Sequence, residues 1–233
     1  MMVIYSISVL RTFLNNIFLS SLMIEAILFD AEGVVIDSET IWDKGQEIFL
    51  KRKGVNTDIK KLKLLLTGQS MIDGVRIMQE LYGFSGDPKD LANERIEIIQ
   101  ELFKTRIDYI PGFKEFYSNL KGSYKTCIST SMNRTLLKDV DARLGLNNLF
   151  DHNVFSIDDV RGLSKPDPAI FLYSAEKLGV SPDRCMVIED SPHGITAAKK
   201  AGMYCVGITT TYPYEILKEA NQMVSSFSEI RIQ

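Results

Sequence analysis

The sequence predicts an α/β fold, a doubly wound parallel sheet with helices on both faces, interrupted by an all-α insertion. Three observations predict it. A short apolar run, IEAILF at 24–29, ends in an acidic turn at Asp30. Residues 40–108 then read as almost wholly helical. From Pro111 onward, short apolar runs alternate with helical stretches, the pattern that places helices on both faces of a parallel sheet.

Residues 1–22, MMVIYSISVLRTFLNNIFLSSL, are apolar with Arg11 as their only charge. They lack the basic n-region and small-residue cleavage site of a signal peptide. Arg11, Asn15 and Asn16 fall near the middle, where a membrane span tolerates polar groups least. Val3, Ile7, Leu10, Leu14 and Ile17 follow heptad spacing, so an amphipathic helix docked on a partner or membrane surface is one reading. The other is an extension upstream of a natural start at Met23.

The run at 24–29 reads as a buried strand. In the insertion, Ser70 followed by Asp73 is a capping box, with Met71, Val75 and Met78 on one face behind it. Asp87-Pro88 is a second helix start, an N-cap followed by proline at the first helical position. Leu91, Ile98 and Leu102 continue a helical stripe toward Asp108. Strands are then expected at Tyr124–Ser129, near Asn153–Ser156, at Arg184–Ile188 and at Tyr204–Ile208. Helices are expected at about 133–145, 167–179, 192–201 and 213–221.

Composition narrows the function classes. The chain has 233 residues, 45% of them hydrophobic, enough for one sizeable core plus a small second domain. A formal net charge of −3 offers nothing to nucleic acid. Cys127, Cys185 and Cys205 form no CxxC pair and are odd in number, which argues against a disulfide framework or a zinc site and suits a reducing cytoplasm. His152 and His193 are the only histidines, so a multi-histidine metal site is excluded.

Open parallel sheets bind ligands beyond the carboxyl ends of their strands. The residues at those ends are Asp30 and Glu32, then Ser129, then Glu189 and Asp190, with Lys165 in a Lys-Pro loop before a helix. Carboxylates, a lysine and a hydroxyl on one edge suit a phosphate dianion bridged by Mg²⁺. Plainer alternatives exist: Asp30 and Asp190 could be turn or N-cap aspartates. Ser129 could cap the next helix, Glu189 could be a supporting carboxylate, and His193 reads as a surface or capping residue.

At these positions FDAEGVVIDSE (29–39) resembles the haloacid dehalogenase-like signature hhhhDxDGhhxD. CISTS (127–131), GLSKPDPAIF (162–171) and VIEDSPHGITAAKKAGM (187–203) resemble that superfamily's second, third and fourth motifs, in order. The resemblance covers roughly residues 24–211. It implies a Rossmann-like core at 23–39 and 109–233 and an inserted helical cap domain at 40–108, as in the β-phosphoglucomutase and phosphoglycolate phosphatase-like branch.

The resemblance also implies roles. Asp30 becomes the nucleophile that forms an aspartyl-phosphate. Glu32 takes the acid/base position, protonating the leaving alcohol and then activating water. Mg²⁺ is held by Asp30, by the backbone carbonyl of Glu32 and by Asp190, with Glu189 a further or water-mediated ligand. Lys165 ties phosphate to Asp30, while Ser129 and the following turn at Thr130 bind phosphoryl oxygens. The family usually carries aspartate where this chain has Glu32. The longer side chain puts the acid/base step in question, since misplacement near 1 Å can cost about 100-fold.

Mutases of this branch carry a histidine early in the first cap helix and an arginine after a Gly-x-Ser turn. This chain has Trp42 and Met71 there, and DSETIW is similar to the DSEPLW run of hexitol- and deoxysugar-phosphate phosphatases. The expectation is therefore a phosphatase of a small sugar or polyol phosphate, with Trp42 near the substrate. A β-phosphoglucomutase-like mutase and a catalytically impaired binding or regulatory protein stay open as alternatives. A dehalogenase would leave Asp190 idle. The expected partner is the metabolite alone, with a monomer or weak dimer, no nucleic acid, and membrane contact only through residues 1–22.

Overall fold

The computed structural model describes residues 23–66 and 70–232. The readings of residues 1–22, and of Gly68 in the Gly-x-Ser turn, lie outside the described residues. The chain forms two compact units. One holds the sheet and, among the described residues, comprises those up to Val35, Ile110–Arg134 and those from Leu146 onward. The other is helical and comprises Ile36–Tyr109 and Thr135–Gly145.

The sheet contains β1 (Ala26–Phe29), β2 (Lys125–Ser129), β3 (Val154–Phe155), β4 (Cys185–Glu189), β5 (Tyr204–Ile208) and β6 (Gln222–Val224). Their order is β3-β2-β1-β4-β5-β6 and every pairing is parallel. The chain winds outward from β1 through β2 to β3, and on the other side from β4 to β6. The direction reverses between β1 and β4, which opens a crevice at their carboxyl ends.

Helices follow in chain order. The helical unit contains α1 (Ser38–Arg52), α2 (Ile59–Leu66), α3 (Met71–Tyr82) and α4 (Pro88–Arg106). Asp37 caps α1 by accepting from Thr40 N at 3.2 Å. Ser70 caps α3 by accepting from Asp73 N at 3.1 Å, and Asp87 caps α4 with Pro88 behind it. Phe49, Val75, Met78, Leu102 and Phe103 form the buried interior of this unit. Gly45 lets α1 and α4 approach, since a Cβ there would lie 2.8 Å from Ile99 Cγ1. No helix among the described residues is long and apolar enough to cross a membrane.

In the sheet unit, α5 (Phe113–Leu120) covers one face. Phe29 points to that face and meets Phe113 and Phe150 edge-on, each at 5.7 Å between ring centres. The helix expected at 133–145, α6 (Arg134–Leu144), packs with the helical unit instead of the sheet. Two bonds hold it there: Tyr109 Oη donates to the Leu144 carbonyl at 2.8 Å, and Arg143 Nε to the Ile107 carbonyl at 2.6 Å. After the single turn α7 (Leu146–Leu149), α8 (Ala169–Leu178) and α9 (Pro192–Lys200) cover the other face through Phe171, Ala175, Ile195 and Ala198.

One expectation fails near the end of the chain, and one strand lies outside the expected set. Residues 213–221 are not a helix but a chain of tight turns, with Ile216, Leu217 and Ala220 N–H groups each donating three residues back. The turns drop Leu217 and Ala220 onto Gly207, where a Cβ would meet Ala220 Cβ at 3.1 Å. The strand β6 follows directly and was not expected, because QMV is too short and mixed to announce itself.

Candidate active site

The crevice between β1 and β4 gathers the acidic residues. Asp30 directly follows β1, and its N–H donates to the Ile188 carbonyl at 3.0 Å, so the pairing with β4 runs one residue past the strand. Glu189 ends β4 and Asp190 follows it. All three side chains are buried.

Lys165 binds two of them. Its Nζ donates to Asp30 Oδ1 and, at 2.7 Å, to Glu189 Oε1, while sitting 4.9 Å from the centre of the Phe171 ring. Burial pulls the Lys165 ammonium down, but the charges of Asp30 and Glu189 overcome it and the net shift is upward. Burial pushes Asp30 up, Lys165 pulls it back and Glu189 pushes again, leaving it at about 7. Asp190 is raised well above the usual carboxylate range, by burial first and then by the charges of Glu189 and Asp30. Three buried carboxylates thus share one ammonium, and the excess negative charge is what a divalent cation would relieve.

The donor set fits a hard cation of the Mg²⁺ kind. Glu189 Oε2 accepts from Asp190 N at 2.9 Å, Ser191 N at 2.8 Å and Ser191 Oγ at 2.9 Å, so with Lys165 on Oε1 both its oxygens are engaged. That leaves Asp30 and Asp190 as side-chain donors. Among the described residues no three acidic, histidine or cysteine side chains form a cage by themselves. Mg²⁺ needs none, because it takes one or two carboxylates and fills its shell with water and substrate oxygens.

Residues outside the expected set complete the site. Gly33 has φ +74°, and a Cβ there would overlap Asp190 Oδ2. Thr210 donates to the Gly33 carbonyl, and Thr211 hydrogen-bonds Asp190. Ser191 caps α9 by accepting from Gly194 N at 3.1 Å while donating to Glu189. At Gly194 any Cβ would collide with the Glu189 carboxylate. The Thr209–Thr211 run after an apolar strand was the available signal for the threonines.

The two hydroxyl candidates differ. Ser129 is fully buried, and its Oγ lies 2.7 Å from Ser174 Oγ. Ser174 already donates its one proton to the Ile170 carbonyl at 2.7 Å, so Ser129 must be the donor between them. Its proton is therefore committed to the core. Thr130 Oγ1 accepts from Met132 N at 3.1 Å and its own proton has no acceptor among the described residues. Trp42 belongs to the helical unit, where it lines a cavity and packs edge-on against Phe103. Glu32 is half-buried beside this group, and its charge adds to the upward push on Asp30. His193 is exposed at the start of α9.

Known proteins are similar to this chain over most of their length. Fructose-1-phosphate phosphatase YqaB of Escherichia coli K12 is 29% identical over 182 residues, covering 78% of this chain and 95% of that protein. Validoxylamine A 7′-phosphate phosphatase of Streptomyces hygroscopicus subsp. limoneus is 29% identical over 211 residues, covering 90% and 97%. The crystal structure of β-phosphoglucomutase from Clostridium difficile matches with a TM-score of 0.62 and 30% identity, covering 90% of this chain and 94% of that one. A family model of haloacid dehalogenase-like hydrolases matches residues 24–202, a span that includes Asp30, Thr130, Lys165, Glu189 and Asp190. With the strand order and these residues at one sheet edge, the chain belongs to the haloacid dehalogenase-like hydrolases, a family of enzymes.

Proposed function

We propose that the chain is a Mg²⁺-dependent phosphatase that hydrolyses a small sugar or polyol phosphate through an aspartyl-phosphate on Asp30. The observation that carries this reading is the ion pair of Asp30 with Lys165, beside Asp190, at the sheet's switch point. A nucleophilic carboxylate needs a fixed orientation and a cation to offset the approaching phosphate, and Lys165 supplies both.

In the first step an Asp30 oxygen attacks phosphorus and the P–O bond to the alcohol breaks. Glu32 gives its proton to the departing alkoxide. In the second step Glu32 takes a proton from water, and the water oxygen attacks phosphorus. Asp30 leaves as a carboxylate with inorganic phosphate as product. Thr130, rather than Ser129, is the hydroxyl with a proton to give a phosphoryl oxygen. Asp30, Asp190 and the Glu32 backbone carbonyl would hold Mg²⁺, which when bound neutralises charge on the phosphoryl group. Glu189, with both oxygens engaged, orients Lys165 and the loop at Ser191. A reducing cytoplasmic setting suits the three buried free thiols.

The two phosphatase relatives, named for fructose 1-phosphate and validoxylamine A 7′-phosphate, make phosphorylated sugars and polyols the substrates to test first. Purified protein with Mg²⁺ and p-nitrophenyl phosphate should turn over, and Asp30→Asn should not. Equal rates for the two would sink the proposal. A mutase reading draws on the β-phosphoglucomutase likeness. Phosphorus NMR of the products separates the two, since hydrolysis yields inorganic phosphate and a mutase yields a positional isomer.

A further inference from the structure

Two loops carry the expected donors to a cation, and they leave different strands. The Glu32 carbonyl lies in the turn after β1 and the Asp190 carboxylate in the loop after β4. The strands pair in register up to Phe29 opposite Ile188, which fixes where the loops begin but not how far apart their donors stand. For a small ion that spacing matters. Mg²⁺ demands near-ideal octahedral geometry at about 2.0–2.1 Å, whereas Ca²⁺ takes a looser, more variable shell at about 2.3–2.6 Å.

A third loop reaches both of the others. β5 ends at Ile208, and the Thr209 N–H donates to the Val224 carbonyl at 3.0 Å, so the loop starts tied to β6. Its next two residues then bond in different directions. Thr210 Oγ1 donates to the Gly33 carbonyl, one residue beyond Glu32. The Thr211 hydroxyl donates to the Asp190 carboxylate. Gly33 is where the three loops meet, since a Cβ there would lie 2.6 Å from Thr211 Oγ1 and overlap Asp190 Oδ2. All of these residues belong to the sheet unit. Threonines in turns commonly spend their hydroxyls on their own backbone. These two spend them on the loops that carry the cation donors, and both lie past residue 202, where the family match ends.

We propose that Thr210 and Thr211 are positioning residues that set the spacing of the Glu32 carbonyl and the Asp190 carboxylate, and thereby select Mg²⁺ over the larger Ca²⁺. The inference rests on the cation site of the phosphatase reading. Thr210 holds the turn that carries the carbonyl, and Thr211 holds the carboxylate in one orientation. So held, Asp190 is kept from swinging freely to offer both oxygens, the bidentate contact that Ca²⁺ accepts. Outer hydrogen bonds of this kind orient metal ligands, and losing one costs about 10- to 100-fold in affinity. The plainer role is loop closure: the two bonds would then stabilise the chain after β5 with no bearing on the ion.

Calorimetric titration of the full-length protein, stripped of metal by a chelator, gives dissociation constants for Mg²⁺ and Ca²⁺ and separates the two. Thr211→Val removes the hydroxyl and keeps the branched shape. It should weaken Mg²⁺ by about tenfold or more and Ca²⁺ by much less, so the preference for Mg²⁺ falls. Thr210→Val should shift the preference the same way, and Thr210→Ser and Thr211→Ser should retain it. The rise in Tm that Mg²⁺ gives should shrink in the valine variants while the rise that Ca²⁺ gives persists. Loop closure alone would lower the metal-free Tm and leave the preference at its wild-type value, which overturns the proposal. Equal weakening of both ions, or a wild type that binds neither, overturns it too. Thr210 is exposed, so Thr210→Val keeps the test open if Thr211→Val does not fold. Should the preference for Mg²⁺ depend on the threonines in a protein that cleaves no phosphomonoester, the phosphatase reading fails and the positioning role stands. An active enzyme whose preference ignores both threonines fails the positioning role alone.

Discussion

Lys165 Nζ donates to Glu189 Oε1 at 2.7 Å, with both side chains shut off from water. Glu189 therefore anchors the ammonium that faces Asp30 and ties down the loop at Ser191 with its other oxygen. Lys165 keeps Asp30 as a partner when Glu189 is removed, but the Asp190 and Ser191 donors lose their acceptor, and an unsatisfied buried donor costs about 1–3 kcal/mol. Glu189→Ala should lose about that much in urea unfolding, and its turnover should fall as well. Glu189→Gln, which keeps the shape, should lose less stability but still lose turnover. A Glu189→Ala protein as stable as wild type would remove the anchoring role.

Gly33 is a second constraint on the site. Its φ of +74° and the absence of a Cβ leave the Asp190 carboxylate its place. Gly33→Ala should cost about 1–2 kcal/mol from backbone strain alone. Displacement of Asp190 should also raise the Mg²⁺ concentration needed for half-maximal activity. An alanine variant with wild-type Mg²⁺ dependence would show that Asp190 does not hold the ion.

The two hydroxyls make opposite predictions. Ser129→Ala should lose about 1 kcal/mol of stability with its core hydrogen bond and leave KM alone. Thr130→Val should raise KM by about 10- to 100-fold, the effect of about 1.5–3 kcal/mol for a bond to a charged oxygen. Steady-state kinetics on both, with thermal unfolding, decide it. A larger KM for Ser129→Ala than for Thr130→Val would reverse the assignment.

Glu32 carries one methylene more than the aspartate usual at its position. Glu32→Asp should raise kcat if the shorter side chain restores the acid/base geometry. A lower kcat would instead show a pocket fitted to glutamate.

Much of this was legible along the chain because its causes are local. IEAILF followed by Asp30, and Asp87-Pro88 before a helix, are determined by burial and capping within a few residues. The acidic residues could be gathered on one edge because strand ends in a parallel sheet share a side. What escaped depends on neighbours far away in sequence. The choice between Ser129 and Thr130 turns on Ser174, 45 residues on. Segment 213–221 reads as a helix but forms tight turns that pack Leu217 and Ala220 on Gly207 of β5. Arg95 is buried by contacts with Gln46 of α1 and Met71 of α3, both far from it in the chain.

The central claim is covalent chemistry at Asp30. Acid-quenching the Mg²⁺-loaded protein during turnover of radiolabelled phosphomonoester should trap a phosphoryl group that hydroxylamine releases, mapped by peptide mass to Asp30. Asp30→Asn should trap none. Turnover with no trapped label under any quench time, or label mapped to another residue, would contradict the account.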